Sequence, residues 1–389
     1  MQGLLDTIGR GFSEGRLEFA APDGRCWTLG NGEPRVRLRL QQAAVLRRML
    51  RRPAMNFGET YVDGGWEPEG CSLAEVLGVA LRFEQHRQHR QRRHPHPLAR
   101  LGAWIGERNS PLRARRNVAH HYNLDEAFYR GFLDQDMHYS CAYFREAGIT
   151  LEDAQREKCA LIARKLDLRP DMRVLDIGCG WGSLAMHLAE RHGVHVTGIT
   201  LSETQLAAAR RRANERGLTQ RVEFRLQDYR DTAGRYDAVV SVGMFEHVGR
   251  PQYGRYFARL HQLLEPQGTA LVHSIGRLSP PGATNPWIRK YIFPGGYIPA
   301  ASEMLAAVER SGLELADLEV WRLHYAETLA EWHRRFSRMT LGDERFTRIW
   351  RFYLQASEAS FREGDLVVFQ AQLLRERSRL PLTRDYLYC

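Results

Sequence analysis

Val174-Leu175-Asp176-Ile177-Gly178-Cys179-Gly180-Trp181-Gly182 runs from an apolar, β-branched segment into three glycines at alternate positions. An amphipathic segment, Leu184 to Arg191, follows at once. The pattern predicts a strand, a tight turn and a helix, in which glycines let the backbone come close to a ligand. The turn is not the dinucleotide fingerprint, because Gly178, Gly180 and Gly182 give G-x-G-x-G rather than G-x-G-x-x-G. The next predicted strand, His195 to Thr200, ends without the acidic residue that a nicotinamide enzyme uses for its ribose.

Further strands are predicted at Val222–Asp228, Tyr236–Gly243 and Gly268–Gly276, with Arg173–Gly178 as the first of the series. Ser202 with Gln205 three residues later has the capping-box pattern at the start of the intervening helix. Alternating strands and helices predict an α/β fold, a doubly wound, mostly parallel sheet with ligands beyond the strands' carboxyl ends. Gly276 to Ala300 breaks the rhythm with five prolines and with Trp287, Tyr291, Phe293 and Tyr297, which suit a lid or the wall of an apolar pocket.

The chain of 389 residues is long enough for two domains. Its division is expected as an amino-terminal α/β module over 1–85, a basic linker over 86–116 with His94-Pro95-His96-Pro97, and a catalytic domain over 117–389. No apolar run approaches the ~18 residues that span a bilayer. Charged Asp6, Arg10, Glu14 and Arg16 near the start argue against a signal peptide. The cysteines at 26, 71, 141, 159, 179 and 389 lack C-x-x-C spacing, so no metal site is expected and a reducing cytoplasm fits.

Charge is concentrated. Residues 1–116 hold 20 arginines and 12 acidic residues, a net of +8, out of +10 for the whole chain. Arg35-Val36-Arg37-Leu38-Arg39-Leu40 alternates with period two, which puts three arginines on one face of a strand. Arg47, Arg48, Arg51 and Arg52 follow on a helical segment. Any one of these is an ordinary solvated residue, but the cluster points to a polyanion, either a membrane surface or nucleic acid. The fourth strand runs into Gly243-Met244-Phe245-Glu246-His247, not the Asn/Asp-Pro-Pro-aromatic motif that holds a flipped base, so nucleic acid is disfavoured and anionic lipid preferred.

Taken together, Asp176, the glycine turn and Thr200-Leu201-Ser202 resemble the S-adenosylmethionine site of class I methyltransferases. With His121-Tyr122-Asn123, Met137-His138-Tyr139-Ser140-Cys141-Ala142-Tyr143, Gln227-Asp228-Tyr229-Arg230-Asp231, Met244 to Gly249 and Lys290-Tyr291-Ile292-Phe293-Pro294, the chain from about His120 onward resembles the cyclopropane-fatty-acyl-phospholipid synthase family, which includes the mycolic acid cyclopropane synthases. The amino-terminal module is similar to the extra domain of the bacterial phospholipid synthases. The resemblance implies a Rossmann-like enzyme that carries a methylene unit from S-adenosylmethionine to a cis double bond of an unsaturated phospholipid acyl chain. It further implies a bicarbonate ion as the base, held by Cys141, Glu246, His273, the backbone at Ile275, and Tyr325.

Cofactor contacts carried over by motif are Tyr139, Ser140, Gly178, Gly180, Thr200, Gln205, Gln227 and Asp228, to which the turn adds Asp176 and Gly182. The implied location is cytoplasmic, peripheral to the inner face of the membrane. Ser274 stands where the phospholipid synthases often have threonine, and Gly295-Gly296-Tyr297 is closer to the mycolic-type loop, which leaves the acyl substrate open. Methylation without ring closure, a small-molecule or RNA methyltransferase, and a non-enzymatic lipid-binding protein are the competing functions. The sequence does not fix the oligomeric state, and a homodimer is compatible with it.

Overall fold

The computed structural model describes residues 1–90, 125–376 and 380–388. The expected linker therefore lies almost wholly outside the described residues, as does His121-Tyr122-Asn123. Residues 86–90 are not linker but the end of the helix Leu73–Arg90. The described residues gather into two compact units, and neither is continuous in sequence. One holds residues 1–90, Thr284–Ile292 and Leu329–Leu366; the other holds 125–283, Phe293–Thr328, 367–376 and 380–388.

The first unit is built on β1 (Arg16–Ala20), β2 (Cys26–Leu29), β3 (Arg35–Leu40) and β4 (Trp66–Pro68), in the order β2-β1-β3-β4. On β3 the predicted alternation holds: Val36, Leu38 and Leu40 are buried while Arg35, Arg37 and Arg39 are exposed. The late segments join this unit through side chains that local patterning cannot reveal. Trp287 is buried with its ring 4.7 Å from that of Phe352. Gly58 makes room for it, since a Cβ there would stand 2.7 Å from the Trp287 ring. Arg348 lies over the Tyr61 ring at 4.2 Å, donates to the Tyr61 carbonyl at 2.8 Å and pairs with Glu67 at 2.5 Å. A single catalytic domain over 117–389 is thus not what forms.

The second unit carries β5 (Arg173–Ile177), β6 (His195–Thr200), β7 (Val222–Leu226), β8 (Tyr236–Val242), β9 (Leu264–Arg277), β10 (Glu314–Trp321) and β11 (Leu366–Leu374), in the order β10-β11-β9-β8-β5-β6-β7. Pairings from β7 through β6, β5 and β8 to β9 are parallel, and β10 pairs antiparallel with β11. Side chains alternate between two cores, as a sheet covered on both faces requires. Val174, Val240 and Leu271 pack with Leu188 and Phe224, whereas Leu175, Val239 and Val272 pack with Phe257 and Leu260. Each fully buried aliphatic side chain contributes roughly 1.5–3 kcal/mol. The chain winds from β5 to β6 and β7, then reverses to β8 and β9, so the crevice beside the end of β5 is the place for a ligand.

The glycine turn builds that crevice. The N–H groups of Gly178 and Cys179 both donate to the Ile199 carbonyl, at 2.9 and 3.0 Å. Gly178, Gly180 and Gly182 all have φ between +54 and +83, and Gly182 is the N-cap of the helix Ser183–His192. Their surroundings differ. A Cβ on Gly182 would meet Phe224 Cζ at 2.6 Å and Ala209 Cβ at 3.0 Å, whereas on Gly180 the nearest atom is Gln205 Nε2 at 4.0 Å. Gly182 therefore serves close packing of helix on sheet. We expect Gly182→Ala to lower stability by about 1–3 kcal/mol more than Gly180→Ala, since both add backbone strain but only the first overpacks the core. Equal midpoints for the two variants in denaturant melts would contradict this.

Candidate active site

The crevice is a cavity at the carboxyl ends of β5, β6 and β8 and beside the segment after β7. Nine of the ten predicted cofactor residues line it: Tyr139, Ser140, Asp176, Gly178, Gly180, Thr200, Gln205, Gln227 and Asp228. Gly182 is not among the lining residues, for the packing reason given above. Thr200 Oγ1 donates to Gln205 Oε1 at 3.2 Å and accepts from Ser202 N–H at 3.2 Å, so the end of β6 and the helix Glu203–Glu215 hold each other. Ser202 Oγ caps that helix by accepting from Gln205 N–H at 3.2 Å.

Asp228, one of the cofactor contacts carried over by motif, has a partner within the protein. Its carboxylate already accepts from Arg230 Nε at 2.8 Å and Nη2 at 2.6 Å, and the pair is nearly buried. Gln227 donates to the Asp231 carbonyl at 3.1 Å. Asp176, at the end of β5, is the opposite case. It is 2% exposed, its Oδ2 has no partner, and burial pushes its pKa up to about 7 against the opposing pull of Lys158 and His138.

Several residues were not singled out in the sequence. Lys158 is 1% exposed, lines the cavity and donates to Ser140 Oγ at 2.9 Å. His138 Nδ1 is 2.9 Å from Asp134 Oδ2, and its Nε2 is 3.3 Å from Cys159 Sγ. Burial disfavours the imidazolium, yet Cys159 and Asp134 outweigh it and hold the His138 pKa at about 9. A sequence signal for Lys158 existed. It lies with Leu151, Ala154, Cys159 and Ile162 on the buried stripe of the helix Leu151–Lys165, where a lysine is out of place without a polar partner.

The five residues assigned to the base site do not line this cavity. The structure links them in part. Glu246, in the turn after β8, accepts from Ile275 N–H at 2.6 Å through Oε1, while its buried Oε2 has no partner. Ile275 N–H is thus spent on Glu246, so the two form one unit. Burial raises the Glu246 pKa to about 7. His273 lies two residues before Ile275 on β9 and so on the same face. Its Nδ1 is 3.0 Å from Gln370 Nε2 and its ring stands edge-on to Trp321 at 5.2 Å.

Cys141 is fully buried and donates to the Ala142 carbonyl at 3.3 Å, and burial raises its pKa. Ala142 N–H donates at 3.0 Å to Thr328 Oγ1, on the helix His324–Phe336 that also carries Tyr325. Lys158 acts on Asp176, Cys141 and His273 alike, which ties these residues electrostatically to the cavity wall.

The proline-rich segment does not wall the cavity: none of Trp287, Tyr291, Phe293 and Tyr297 is among its lining residues. Trp287 and Tyr291 belong to the other unit. Tyr297 instead supports the base-site turn, since its N–H donates to the Glu246 carbonyl at 2.9 Å and its hydroxyl to Glu303 at 2.8 Å. Among the described residues there is no cluster of three or more potential metal ligands, and no helix is long and apolar enough to cross a membrane.

A family model described as mycolic acid cyclopropane synthetase matches residues 109–371. The chain is 36% identical over 352 residues to the cyclopropane-fatty-acyl-phospholipid synthase of Escherichia coli (strain K12), covering 89% of either chain. It is 38% identical over 351 residues to the tuberculostearic acid methyltransferase UfaA1 of Mycobacterium tuberculosis, covering 86% of this chain and 82% of that one. Among solved structures, the cyclopropane synthase MmaA2 from Mycobacterium tuberculosis superposes with a TM-score of 0.63 at 32% identity, covering 67% of this chain and 98% of its own. The mycolic acid cyclopropane synthase CmaA1, complexed with SAH and CTAB, also gives 0.63, at 31% identity and the same coverage. The strand order, the glycine turn at the switch point and these similarities agree: the chain belongs to the mycolic acid cyclopropane synthetase family of class I S-adenosylmethionine-dependent methyltransferases.

Proposed function

We propose that this methyltransferase closes a cyclopropane ring across a cis double bond in the acyl chain of a membrane phospholipid, with bicarbonate as the base. Bound S-adenosylmethionine supplies an electrophilic methyl group. Asp176 Oδ2 is an acceptor left for a donor on it, and the space beside Gly180 is where its backbone-hugging part fits. The alkene is a weak nucleophile, so the protein's first task is to hold it in line and close. Attack leaves a carbocation on the acyl chain, from which water must be kept away. Closing the ring then needs only a weak base, because the proton lost is very acidic.

Cys141, Glu246, His273, the Ile275 backbone (through its carbonyl, since its N–H is spent on Glu246) and Tyr325 are the residues proposed to hold bicarbonate, which supplies that base. Glu246 carries the reading. With Oε1 accepting from Ile275, a proton on this acid sits on the unpartnered Oε2 and can be donated to an anion. Methylation without ring closure is the second reading, favoured by the similarity to a tuberculostearic acid methyltransferase. Mass spectrometry of host lipids after heterologous expression separates them: ring closure adds one CH₂ and removes the double bond, whereas a product that keeps unsaturation is methylated only.

Substrate in a bilayer leaflet requires docking, and we propose that the amino-terminal arginines supply it at an anionic membrane surface. Three of the seven are already paired: Arg35 with Glu18, Arg37 with Glu69 and Arg48 with Asp63. Arg39, Arg47, Arg51 and Arg52 are exposed and have no carboxylate partner among the described residues. Each such charge near an anionic surface contributes about 1 kcal/mol, fading within a Debye length.

Three outcomes are expected. Gly180→Val should abolish S-adenosylmethionine binding by filling the space its Cβ enters while leaving the protein folded; unchanged affinity by calorimetry would sink the cofactor assignment. Glu246 holds its proton more tightly folded than unfolded, where a glutamate ionises near 4.5, so its contribution to stability should fall as pH rises from about 4.5 to about 7. Glu246→Gln should flatten that part of the stability profile and the loss of turnover above pH 7; retention of both slopes in urea melts and pH–rate profiles would be evidence against a protonated Glu246. Replacing Arg39, Arg47, Arg51 and Arg52 with glutamine should weaken co-sedimentation with anionic vesicles at low salt and leave cofactor affinity unchanged. Binding indifferent to both salt and substitution would show the charge to be a solvated face.

A further inference from the structure

A buried lysine with no place in the proposed chemistry lies behind the base site. Lys165, at the end of the helix Leu151–Lys165, is fully buried. Its ammonium donates to Glu319 on β10 and, at 2.7 Å, to Gln370 Oε1 on β11. Gln370 is likewise fully buried, and its other amide atom, Nε2, lies 3.0 Å from His273 Nδ1. Four side chains thus form one line: Glu319, Lys165, Gln370, His273.

The chemistry of these groups removes the two ambiguities that amides and imidazoles usually carry. An ammonium has three donors and no acceptor, so the Gln370 atom facing it must be the oxygen. The atom facing His273 is then the amide NH₂, which can only donate. A nitrogen that receives a hydrogen bond must offer its lone pair, so Nδ1 is unprotonated and the ring proton sits on Nε2. A second proton on Nδ1 would face the amide NH₂ and the Lys165 charge behind it. Burial together with Lys158 and Lys165 acts in the same direction, lowering the His273 pKa. Among the described residues, the His273 side chain makes no other hydrogen bond.

We infer that Gln370, oriented by Lys165, is a positioning residue that fixes His273 as the neutral Nε2–H tautomer, so that the imidazole meets a ligand as a donor and not as a base. The catalytic consequence rests on the bicarbonate site proposed above; the tautomer itself does not. A neutral donor fits an anion, and it keeps the imidazole from competing with the anion for the proton lost on ring closure. Glu319 balances the Lys165 charge, which leaves the amide oriented at no net charge.

Long-range ¹H–¹⁵N spectra of ¹⁵N-histidine-labelled full-length protein test this directly, with His273 assigned by its disappearance in His273→Asn. The wild type should show a pyridine-like shift at Nδ1 and a pyrrole-like shift at Nε2; a protonated Nδ1 would overturn the inference without any further variant. Gln370→Glu replaces the donor with an acceptor of nearly equal volume, so Nδ1 should become protonated. Turnover should then fall on the order of 10- to 100-fold, as for other groups that orient a functional histidine, with KM for S-adenosylmethionine unchanged. A switched tautomer with unchanged turnover would overturn the positioning role. Lys165→Met should give a mixture of tautomers, since the amide is then free to turn; a single unchanged tautomer would exclude Lys165 from the relay. Turnover assayed after removal of dissolved CO₂ keeps the two proposals apart: if it is unaffected while the spectra are as expected, the bicarbonate reading fails and the tautomer assignment stands.

Discussion

The left-handed backbone at Gly178, Gly180 and Gly182 is the constraint on which the second unit depends. The chain must leave β5, turn and enter a helix within five residues while two of its N–H groups share the Ile199 carbonyl. A side chain at these angles costs roughly 1–2 kcal/mol, and three in succession would favour a different turn. Because the turn is tight, the helix Ser183–His192 packs directly on the sheet, with Gly182 against Phe224. Because it is narrow at Gly180, space is left beside β5, at the point where the sheet changes its winding direction. Packing and ligand space are therefore made by neighbouring glycines with different tasks, although all three share one conformation.

Much of this was legible in the sequence because it is local. The strand alternation, the glycine turn, the Ser202 cap and the arginine face of β3 each depend on residues within one element. What was not legible is long-range. Trp287 and Tyr291 look like a pocket wall by composition, yet Gly58 and Phe352 accommodate Trp287 in the other unit. Asp228 looks like a free acceptor until Arg230 is seen to occupy it. The charge cluster reads as uniformly basic, but Glu18, Glu69 and Asp63 each pair with an arginine and leave the local field to fewer residues than the count suggests. Lys158 and Lys165 are the exception: seven residues apart on the buried stripe of one helix, where lysines are out of place without polar partners, they break a rule that the sequence alone displays.

The proposed base site draws its character from burial more than from any single contact. Burial pushes the thiol of Cys141 and the carboxyl of Glu246 up, and the imidazole of His273 down, so each favours its neutral form. Neutral donors suit a reaction in which the proton lost comes from a carbocation. Such a proton needs little basicity, and a strongly basic or anionic side chain would instead risk trapping the cation. In the proposed mechanism, neutral groups would surround the bicarbonate, and the acidity of the reacting carbon would do the rest.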